Sequence, residues 1–510
     1  MYSGQKHIIE KVFIEVNTES EKEAHRINNT AGVYLKEKVF PILEELFDEC
    51  DNGTDIIRFD RLNIDFSLQD WEDENALKDN LLENIRTQLN RPTELAEVEL
   101  ESDEILRTVE GMKQLINPGQ NHRAAFLFFI ENGYLPWYAK QEYISEITSP
   151  EKWKDNLAND DFLYALKNVL KSKTNAVKRL VLQFADEVVF DFVRALKVLV
   201  VRDTGRFMNF VKNSESDFRN NLFECLSMVS IESADKQECL HKLIKLSRTE
   251  KENIEKLAAL IIEKTENLKS ELHRYFTSES VALFLPDSED EIRKLTNELI
   301  GIKTDEIVVK GSNESANSLL DNKPTIQNEE FVSDKKEPPF LDKSSRDILV
   351  KNAGLIILGP FLTTFLKEFN WLDKNGNIKK EARFKAVQSI HFLATGETSF
   401  FEGNLVFEKF LCGVPLSTPL PQKSLLNDEV LAEAENLLQQ VIKNWPALKN
   451  TGPDGLRQLF LNRNGKLIKK ERGYQLIIER KAQDILLDKL QWNISVMKLP
   501  WTNELVYIEW

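Results

Sequence analysis

The residue types that most often carry catalysis or bind metals are scattered along this 510-residue chain. Its cysteines form no CxxC pair and its six histidines form no HExxH motif or Cys/His cluster; the cysteines are Cys50, Cys225, Cys239 and Cys412. The phosphate loops GxxxxGK[ST] and GxGxxG and the nucleophile motif GxSxG are also absent from the sequence. We therefore predict a protein that is not an enzyme, with no catalytic, metal-binding or cofactor-binding residues and no small-molecule substrate.

Carboxylates are too abundant to name an active site, since the chain holds 83 Asp and Glu residues. The run Asp373-Lys374-Asn375-Gly376-Asn377 is similar to the start of a calcium loop. Its glycine stands at the fourth position instead of the sixth, and no Glu occupies position twelve. A turn between two helices is the favoured interpretation.

The net charge of −16 is concentrated near the N-terminus. Residues 1–100 contain 23 acidic and 11 basic residues, which gives 11 − 23 = −12. Clustered Lys and Arg are needed to bind a phosphate backbone, so this composition argues against a nucleic-acid partner. These carboxylates would suit a basic protein partner. The alternative is that they form a solvated face that keeps the protein soluble.

A basic segment at 463–481 is the second charged feature. It carries seven basic residues against Glu471 and Glu479; these are Arg463, Lys466, Lys469, Lys470, Arg472, Arg480 and Lys481. With Tyr474 nearby it could bind nucleic acid, but a basic hairpin that meets an acidic protein is favoured. The acidic N-terminal residues offer such a surface.

The elements that must position these residues are predicted to be mainly helical, with small α+β elements. Alternating apolar residues at 8–16 and 57–66 predict strands, and helical periodicity between and after them completes an acidic β-α-β-α domain over 1–91. Residues 105–300 predict a helical array with short connections. Residues 303–346 have few large apolar residues and predict a flexible polar linker.

The last part, 347–510, predicts a C-terminal helical domain closed by a strand-like tail. Helices are expected at 348–369, 379–394, 405–411, 428–444 and 453–461, and strands at 465–468, 474–479 and 505–510. Large aromatic side chains are usually buried, so the tail should be packed.

Aromatic and Leu-Pro-Trp positions are the candidate structural or interaction residues. They are Leu135, Pro136 and Trp137 in the middle of the chain, and Trp445, Trp492, Leu499, Pro500, Trp501 and Trp510 near its end. Core packing is the favoured interpretation because apolar neighbours surround them. An exposed docking patch is the alternative, since aromatics dominate interface hot spots.

Five segments, in order along the chain, carry a resemblance to a known family. They are 7–16 with 57–66, then 128–137, then 352–362 with 392–397 and 409–416, then 445–449 with 455–465, and finally 484–510. In this order they resemble the tape measure proteins of bacterial contractile injection systems, which are phage-tail-like particles. Gln491 stands where a second Leu-Pro-Trp motif would have its proline, and residues 230–346 show no resemblance.

The resemblance implies a non-enzymatic assembly factor that sets the length of the inner tube and sheath, with tube, cap or baseplate subunits as partners. An extended helical ruler should be long and uninterrupted, whereas this chain has 16 Pro, 19 Gly and strands at both ends. A folded adaptor or chaperone that binds tube, cap, baseplate or cargo subunits is therefore the alternative.

Two expectations concern location. The longest apolar runs fall short of the roughly 20 residues that span a bilayer, so no membrane insertion is predicted. The first residues lack the apolar stretch of a secretory signal, which favours cytoplasmic synthesis followed by incorporation into the particle.

Overall fold

The computed structural model describes residues 7–9, 12–15, 18, 20–50, 56–59, 62–64, 74–89, 113–233, 254–283, 285, 291, 347–448, 450–502 and 504–510. These residues are mainly helical, with a small mixed sheet near the end of the chain, which confirms the predicted fold class. The predicted linker at 303–346 lies outside the described residues. The predicted division into four parts stays a prediction.

The chain forms two compact units. The N-terminal unit comprises Met1–Leu127, Leu135–Ser149 and Asp160–Ala165. The C-terminal unit comprises Phe128–Tyr134, Pro150–Asn159 and Leu166–Trp510.

The N-terminal unit begins with helical structure from residue 21 to residue 50. This stretch consists of α1 (Glu21–Tyr34), one π-helical segment (Leu35–Val39) and α2 (Phe40–Cys50). Apolar residues of α2 recur every three or four positions and pack against α3 (Glu74–Leu89), as expected for an amphipathic pair. The core is formed by Val39, Ile42, Leu43, Leu46, Leu81 and Ile85.

The two-stranded sheet of this unit differs from the predicted arrangement. Strand β1 (Ile56–Phe59) pairs antiparallel with β2 (Lys113–Ile116), a segment that was predicted to be helical. The described residues of the predicted first strand, 7–9 and 12–15, are in no strand. The predicted β-α-β-α order is therefore not confirmed, because the strand at 56–59 takes its ladder partner from a later segment.

Short helices make up the middle of the chain. They are α4 (Pro118–Asn132), α5 (Gln141–Ile147), α6 (Pro150–Leu157), α7 (Asp160–Ser172), α8 (Thr174–Gln183), α9 (Asp186–Ala195), α10 (Thr204–Lys212), α11 (Ser216–Ser230), α12 (Ile254–Leu272) and α13 (Ser278–Ala282). In the C-terminal unit, Phe207 packs against Phe190 and Phe276, each with a ring-centroid distance of 5.0 Å. Such aromatic pairs stabilise the packing of these segments.

Except for the first, the remaining helices of the C-terminal unit lie close to their predicted positions. They are α14 (Gly359–Glu368), α15 (Arg383–Thr395), α16 (Val406–Leu411), α17 (Asp428–Lys443) and α18 (Pro453–Leu456). In α17, the Asn427 side chain accepts a hydrogen bond from the Val430 amide, which caps the first turn.

The sheet of this unit contains β3 (Asp347–Val350), β4 (Gly465–Lys469), β5 (Tyr474–Ile478), β6 (Val496–Met497) and β7 (Val506–Glu509), in the order β3-β4-β5-β7-β6. Strands β5 and β7 run parallel and the other neighbours antiparallel. Alternate residues of the strands face the core, among them Leu467, Leu476 and Val506. The strand-like tail is therefore an internal part of the sheet.

The start of this segment corrects the helix predicted from residue 348. Ile348 lies in β3, and the chain then turns through Asn352, whose φ is +56°, into a 3-10 segment (Ala353–Leu358). Ile348 to Val350 can pair as a strand because β4 offers a partner. A Cβ at Gly354 would collide with the carbonyl of Phe460, so only glycine allows this close approach.

Candidate functional site

Trp445 and Trp492 lie side by side within the C-terminal unit. The Trp445 ring is fully buried and its Nε1 donates a hydrogen bond to the Leu486 carbonyl oxygen at 3.1 Å. The Trp492 Nε1 donates to the Ile357 carbonyl oxygen at 2.9 Å. The two indole rings meet edge to face with centroids 6.5 Å apart. Both side chains thus connect the end of the chain to helical segments.

The Leu499-Pro500-Trp501 motif has three different environments. Leu499 is buried, Pro500 is exposed, and Trp501 is half-buried with its Nε1 donating to the Leu411 carbonyl oxygen at 2.7 Å. An indole N–H that is satisfied inside its own chain favours a packing role over an open docking role. Contact between these aromatic residues and a partner protein stays a prediction.

Asp484 connects the last residue to the sheet. Its Oδ1 accepts a hydrogen bond from Arg463 Nη2 at 2.8 Å, and its Oδ2 accepts from Trp510 Nε1 at 3.1 Å and from the Lys481 amide at 2.8 Å. The Arg463 side chain is fully buried and Asp484 nearly so. A buried cation needs such an anion, so this pair holds the C-terminal strand region in place.

The middle motif, Leu135-Pro136-Trp137, lies in the N-terminal unit, directly after α4. Pro136 is buried, whereas Leu135 and Trp137 are half-buried. The Trp137 ring meets Tyr138 at 5.7 Å, and the Arg58 guanidinium lies over the Tyr138 ring at 4.1 Å. Burial raises the pKa of Tyr138, and Arg58 partly opposes this.

Three charged residues form a buried group that the sequence analysis missed. This ionic cluster consists of Arg179 on α8, Glu402, and Lys409 on α16, whose side chains are all 0 % exposed. Glu402 Oε1 accepts from Arg179 Nε at 3.2 Å and from Lys409 Nζ at 2.7 Å. Glu402 Oε2 has no hydrogen-bond partner among the described residues. Two cations therefore share one carboxylate oxygen.

The end of α4 provides the second part of the Arg179 environment. Arg179 Nη1 donates to the carbonyl oxygens of Ile130 at 2.6 Å and Glu131 at 3.3 Å. Gly133 then takes φ +82°, and a Cβ there would lie 2.5 Å from both Arg179 Nη2 and the Leu416 carbonyl oxygen. Glycine is required at this position for its backbone conformation and for the close approach.

The side chains of Lys409, Arg179 and Gln183 donate hydrogen bonds to backbone carbonyl oxygens of the loop at 414–421. Lys409 Nζ donates to the carbonyl oxygens of Leu416 at 3.0 Å and Thr418 at 2.8 Å, and Arg179 Nη2 donates to that of Ser417 at 2.8 Å. Gln183 Nε2 donates to the Leu420 carbonyl oxygen at 2.5 Å. Buried carbonyl groups that would otherwise lack partners are thereby satisfied.

The pKa of Lys409 is lowered from its usual 10.5 to about 8, mainly by burial; Glu402 opposes this change and the Arg179 charge adds to it. The ammonium is thus predominantly charged near neutral pH. Because no part of the cluster reaches solvent, we interpret it as a structural fastening between α4, α8, α16 and the loop at 414–421.

A second buried polar group contains Glu408, the neighbour of Lys409 on α16. Glu408 Oε1 accepts from Asn352 Nδ2 at 2.7 Å and lies 3.3 Å from His391 Nδ1. Burial, with the Glu408 charge as a smaller cause, raises the pKa of the Cys412 thiol well above its usual value. Cys225 and Cys412 are both buried and form no disulfide bond.

Signals for these clusters existed in the sequence. Charged residues interrupt otherwise apolar helical runs at Arg179 and at Glu408-Lys409, which is unusual because such residues are rarely buried unless paired. Their partners could not be chosen, since Arg179 and Glu402 are 223 residues apart.

The basic segment at 463–481 is less available than its composition suggested. Arg463 is buried against Asp484, Lys466 pairs with Asp347 at 3.1 Å, and Lys469 pairs with Glu504. Lys470, Arg472 and Arg480 remain exposed. This neutralisation weakens both the nucleic-acid interpretation and the basic docking face.

The predicted turn at Asp373 is present. Asp373 Oδ1 accepts hydrogen bonds from the amides of Asn375 and Asn377, which lowers the pKa of its carboxyl. Among the described residues, no group of three or more His, Cys, Asp or Glu side chains is arranged to hold a metal ion. The described helices include none with the length and apolar character needed to cross a bilayer.

Comparison with known proteins gives one finding. The family model described as contractile injection system tape measure protein matches residues 6–510. Searches against curated proteins and solved structures give no significant match.

Proposed function

Because the chain belongs to the contractile injection system tape measure protein family, we propose that its structural role in the particle is that of a folded assembly factor. In this role it binds tube, cap or baseplate subunits through its surface and catalyses no reaction. The observation that carries the proposal is the ionic cluster, in which Arg179 and Glu402 meet across 223 residues of sequence.

A chain that works while fully extended would have to separate these residues. Extension would also expose the core of the C-terminal unit, where Leu355, Leu438 and Leu476 are all fully buried. Burial of each such side chain stabilises the folded state by roughly 1.5 to 3 kcal/mol. An extended state would lose all of this burial.

Helix lengths support the same proposal. The longest single α-helix among the described residues is Ile254–Leu272, with 19 residues, and the longest continuous helical stretch, which includes the π-helical segment, covers residues 21–50. At about 1.5 Å per residue these span roughly 28 Å and roughly 45 Å, whereas the whole chain as one helix would span on the order of 750 Å. Short helices joined by turns suit a packed protein.

A length-setting role is the second candidate, and the family description is the observation that favours it. A ruler translates chain length into tube length, at about 1.5 Å for each helical residue. In this chain such a role requires the C-terminal unit to open during assembly, with Arg179 leaving Glu402.

Insertion of residues between 303 and 346, outside the described elements, tests the two candidates. A helical insertion of about 40 residues would lengthen particles by about 60 Å if the chain is a ruler. A folded assembly factor predicts unchanged particle length in electron micrographs. A flexible insertion of equal length is the matched control, because it adds residues without a fixed rise.

A disulfide gives an independent test. Leu349 and Lys466 are direct partners on β3 and β4, so Leu349→Cys with Lys466→Cys would close a covalent loop across the sheet. In an oxidising expression strain, a folded factor should still assemble particles of normal number and length. If only the reduced protein assembled particles, opening of the unit would be required and the proposal would fail. Each single cysteine variant is the control.

A further inference from the structure

Large apolar side chains are exposed close to the start of the N-terminal unit. Phe13 is 77 % exposed and Ile9 47 %, and the remaining members are similarly open; together the apolar patch consists of Ile8, Ile9, Val12, Phe13 and Ile14. Contiguous exposed apolar residues on a folded protein mark surfaces that another molecule covers.

An acidic helix flanks the apolar patch. His7 Nε2 lies 2.6 Å from Asp48 Oδ1, and the His7 ring meets Phe47 on α2 at 5.4 Å. These contacts bring the beginning of the patch against α2. That helix contains no basic residue and presents four exposed carboxylates, those of Glu44, Glu45, Asp48 and Glu49.

Among the ion pairs of the described residues, Lys78 balances one of these charges. Its Nζ donates to Glu45 Oε2 at 2.9 Å, and this contact is itself exposed. The patch therefore has an apolar centre with an acidic side. The complementary surface has an apolar centre with Lys or Arg at its edge.

We propose that the apolar patch and the exposed carboxylates of α2 form the surface by which this protein binds another protein subunit of the particle, one whose contact surface is apolar and edged by basic side chains. This inference rests on the proposed assembly role and specifies the kind of partner that role uses. An anionic lipid surface fits poorly, because carboxylates beside the patch would be repelled by it. A second copy is disfavoured for the same reason, since residues 1–100 carry 11 − 23 = −12 of charge.

The experiment uses the full chain and purified tube, cap and baseplate subunits, each titrated separately. The test variant is Ile9→Ser with Phe13→Ser, and the control is Val200→Ser, a 55 % exposed apolar residue of the C-terminal unit. We expect one subunit to bind the unaltered chain, the test variant to bind at least about tenfold more weakly, and the control to bind normally. Thermal melting should be unchanged in all three because the altered side chains are exposed.

The charge arm uses Glu44→Lys with Glu49→Lys, matched by Glu381→Lys with Glu397→Lys in the C-terminal unit. We expect the first pair alone to weaken binding and to reduce its dependence on salt. Two further probes test the other possible occupants: phosphatidylglycerol vesicles test a lipid surface, and sedimentation of the free chain tests a second copy. In neither probe should the unaltered chain show binding that the test variant loses.

Several outcomes would overturn the inference. These are equal binding by the test variant, absence of binding to every subunit, or patch-dependent binding to vesicles or to a second copy. If the test variant lost subunit binding but particles still formed normally, the surface would not serve assembly. The insertion and disulfide experiments decide the folded role separately, so the two proposals can fail independently.

Discussion

Substitution of Glu402 by Gln should be among the most damaging conservative changes in this protein. Gln keeps the volume of Glu but removes the carboxylate that pairs with both Arg179 and Lys409. Removal of one partner from a buried ion pair costs about 3 to 5 kcal/mol, because an uncompensated charge stays buried. We therefore expect Glu402→Gln to lower the free energy of unfolding by that amount.

Substitution of Lys409 by Met removes the surplus cation and leaves Arg179 and Glu402 as a neutral pair. Its cost comes mainly from the carbonyl oxygens of Leu416 and Thr418, which lose their donor. Such a loss costs about 1 to 3 kcal/mol. In the double variant, Glu402→Gln with Lys409→Met, Arg179 no longer faces a second cation. The double variant should therefore be destabilised by at least about 1 kcal/mol less than the sum of the two single effects.

The assay is urea unfolding followed by tryptophan fluorescence at about pH 6.5, below the Lys409 pKa of about 8. At that pH the ammonium is charged and the predicted repulsion is present. Effects that add within about 0.5 kcal/mol would refute the reasoning, because they would mean that the two side chains do not interact. Lys173→Met on the exposed rim is the matched control, and it should change stability little.

The other predictions concern Lys409, Asp484 and Trp501. The pKa of Lys409 is about 8 in the folded protein and 10.5 in the unfolded chain. Between these pH values the unfolded chain binds more protons, so the free energy of unfolding rises with pH, by up to about 3 kcal/mol from this group. Urea titrations at several pH values should show this rise in the unaltered chain relative to Lys409→Met, and parallel curves would contradict it. Asp484→Ala should cost about 3 to 5 kcal/mol by leaving buried Arg463 unpaired, whereas a loss below about 1 kcal/mol in the same assay would count against the pair. Trp501→Ala should cost about 3 kcal/mol in urea unfolding because its ring packs on the core and its Nε1 donates to Leu411; unchanged stability with lost subunit binding would instead identify a contact residue.

Much of the C-terminal unit could be predicted because local patterns and tertiary structure agree there. The helix predicted at 428–444 is Asp428–Lys443, and the strand predicted at 474–479 is Tyr474–Ile478. Both are bounded by residues that favour ends, such as Asn427 and Gly473. Consistent local signals of this kind identify elements reliably.

The sequence is ambiguous where pairing with a distant segment of the chain decides the secondary structure. Ile348-Leu349-Val350 is a short apolar run that periodicity alone cannot assign to helix or strand, and its pairing partner begins at Gly465. The pattern at 8–16 likewise alternates without a ladder in the described residues. Hydrogen bonds between distant segments, not local preference, decide these cases.

The same distinction between local and distant effects applies to the candidate residues. Burial of Trp445 could be inferred from its size and apolar neighbours. The acceptor of its N–H could not, because Leu486 lies 41 residues away. The pairing of Arg179 with Glu402 could not be inferred for the same physical reason, since only tertiary packing brings residues 223 positions apart together.

The distance along the chain between Arg179 and Glu402 also has a consequence for synthesis. A ribosome that adds 5 to 20 residues per second needs on the order of 10 to 45 s to make the 223 residues between them. During that interval the helix that carries Arg179 emerges without its carboxylate and without the loop at 414–421. The nascent chain is thus exposed to premature aggregation for many seconds, and a holdase that protects apolar helices before translation is finished would raise the yield of correctly folded protein.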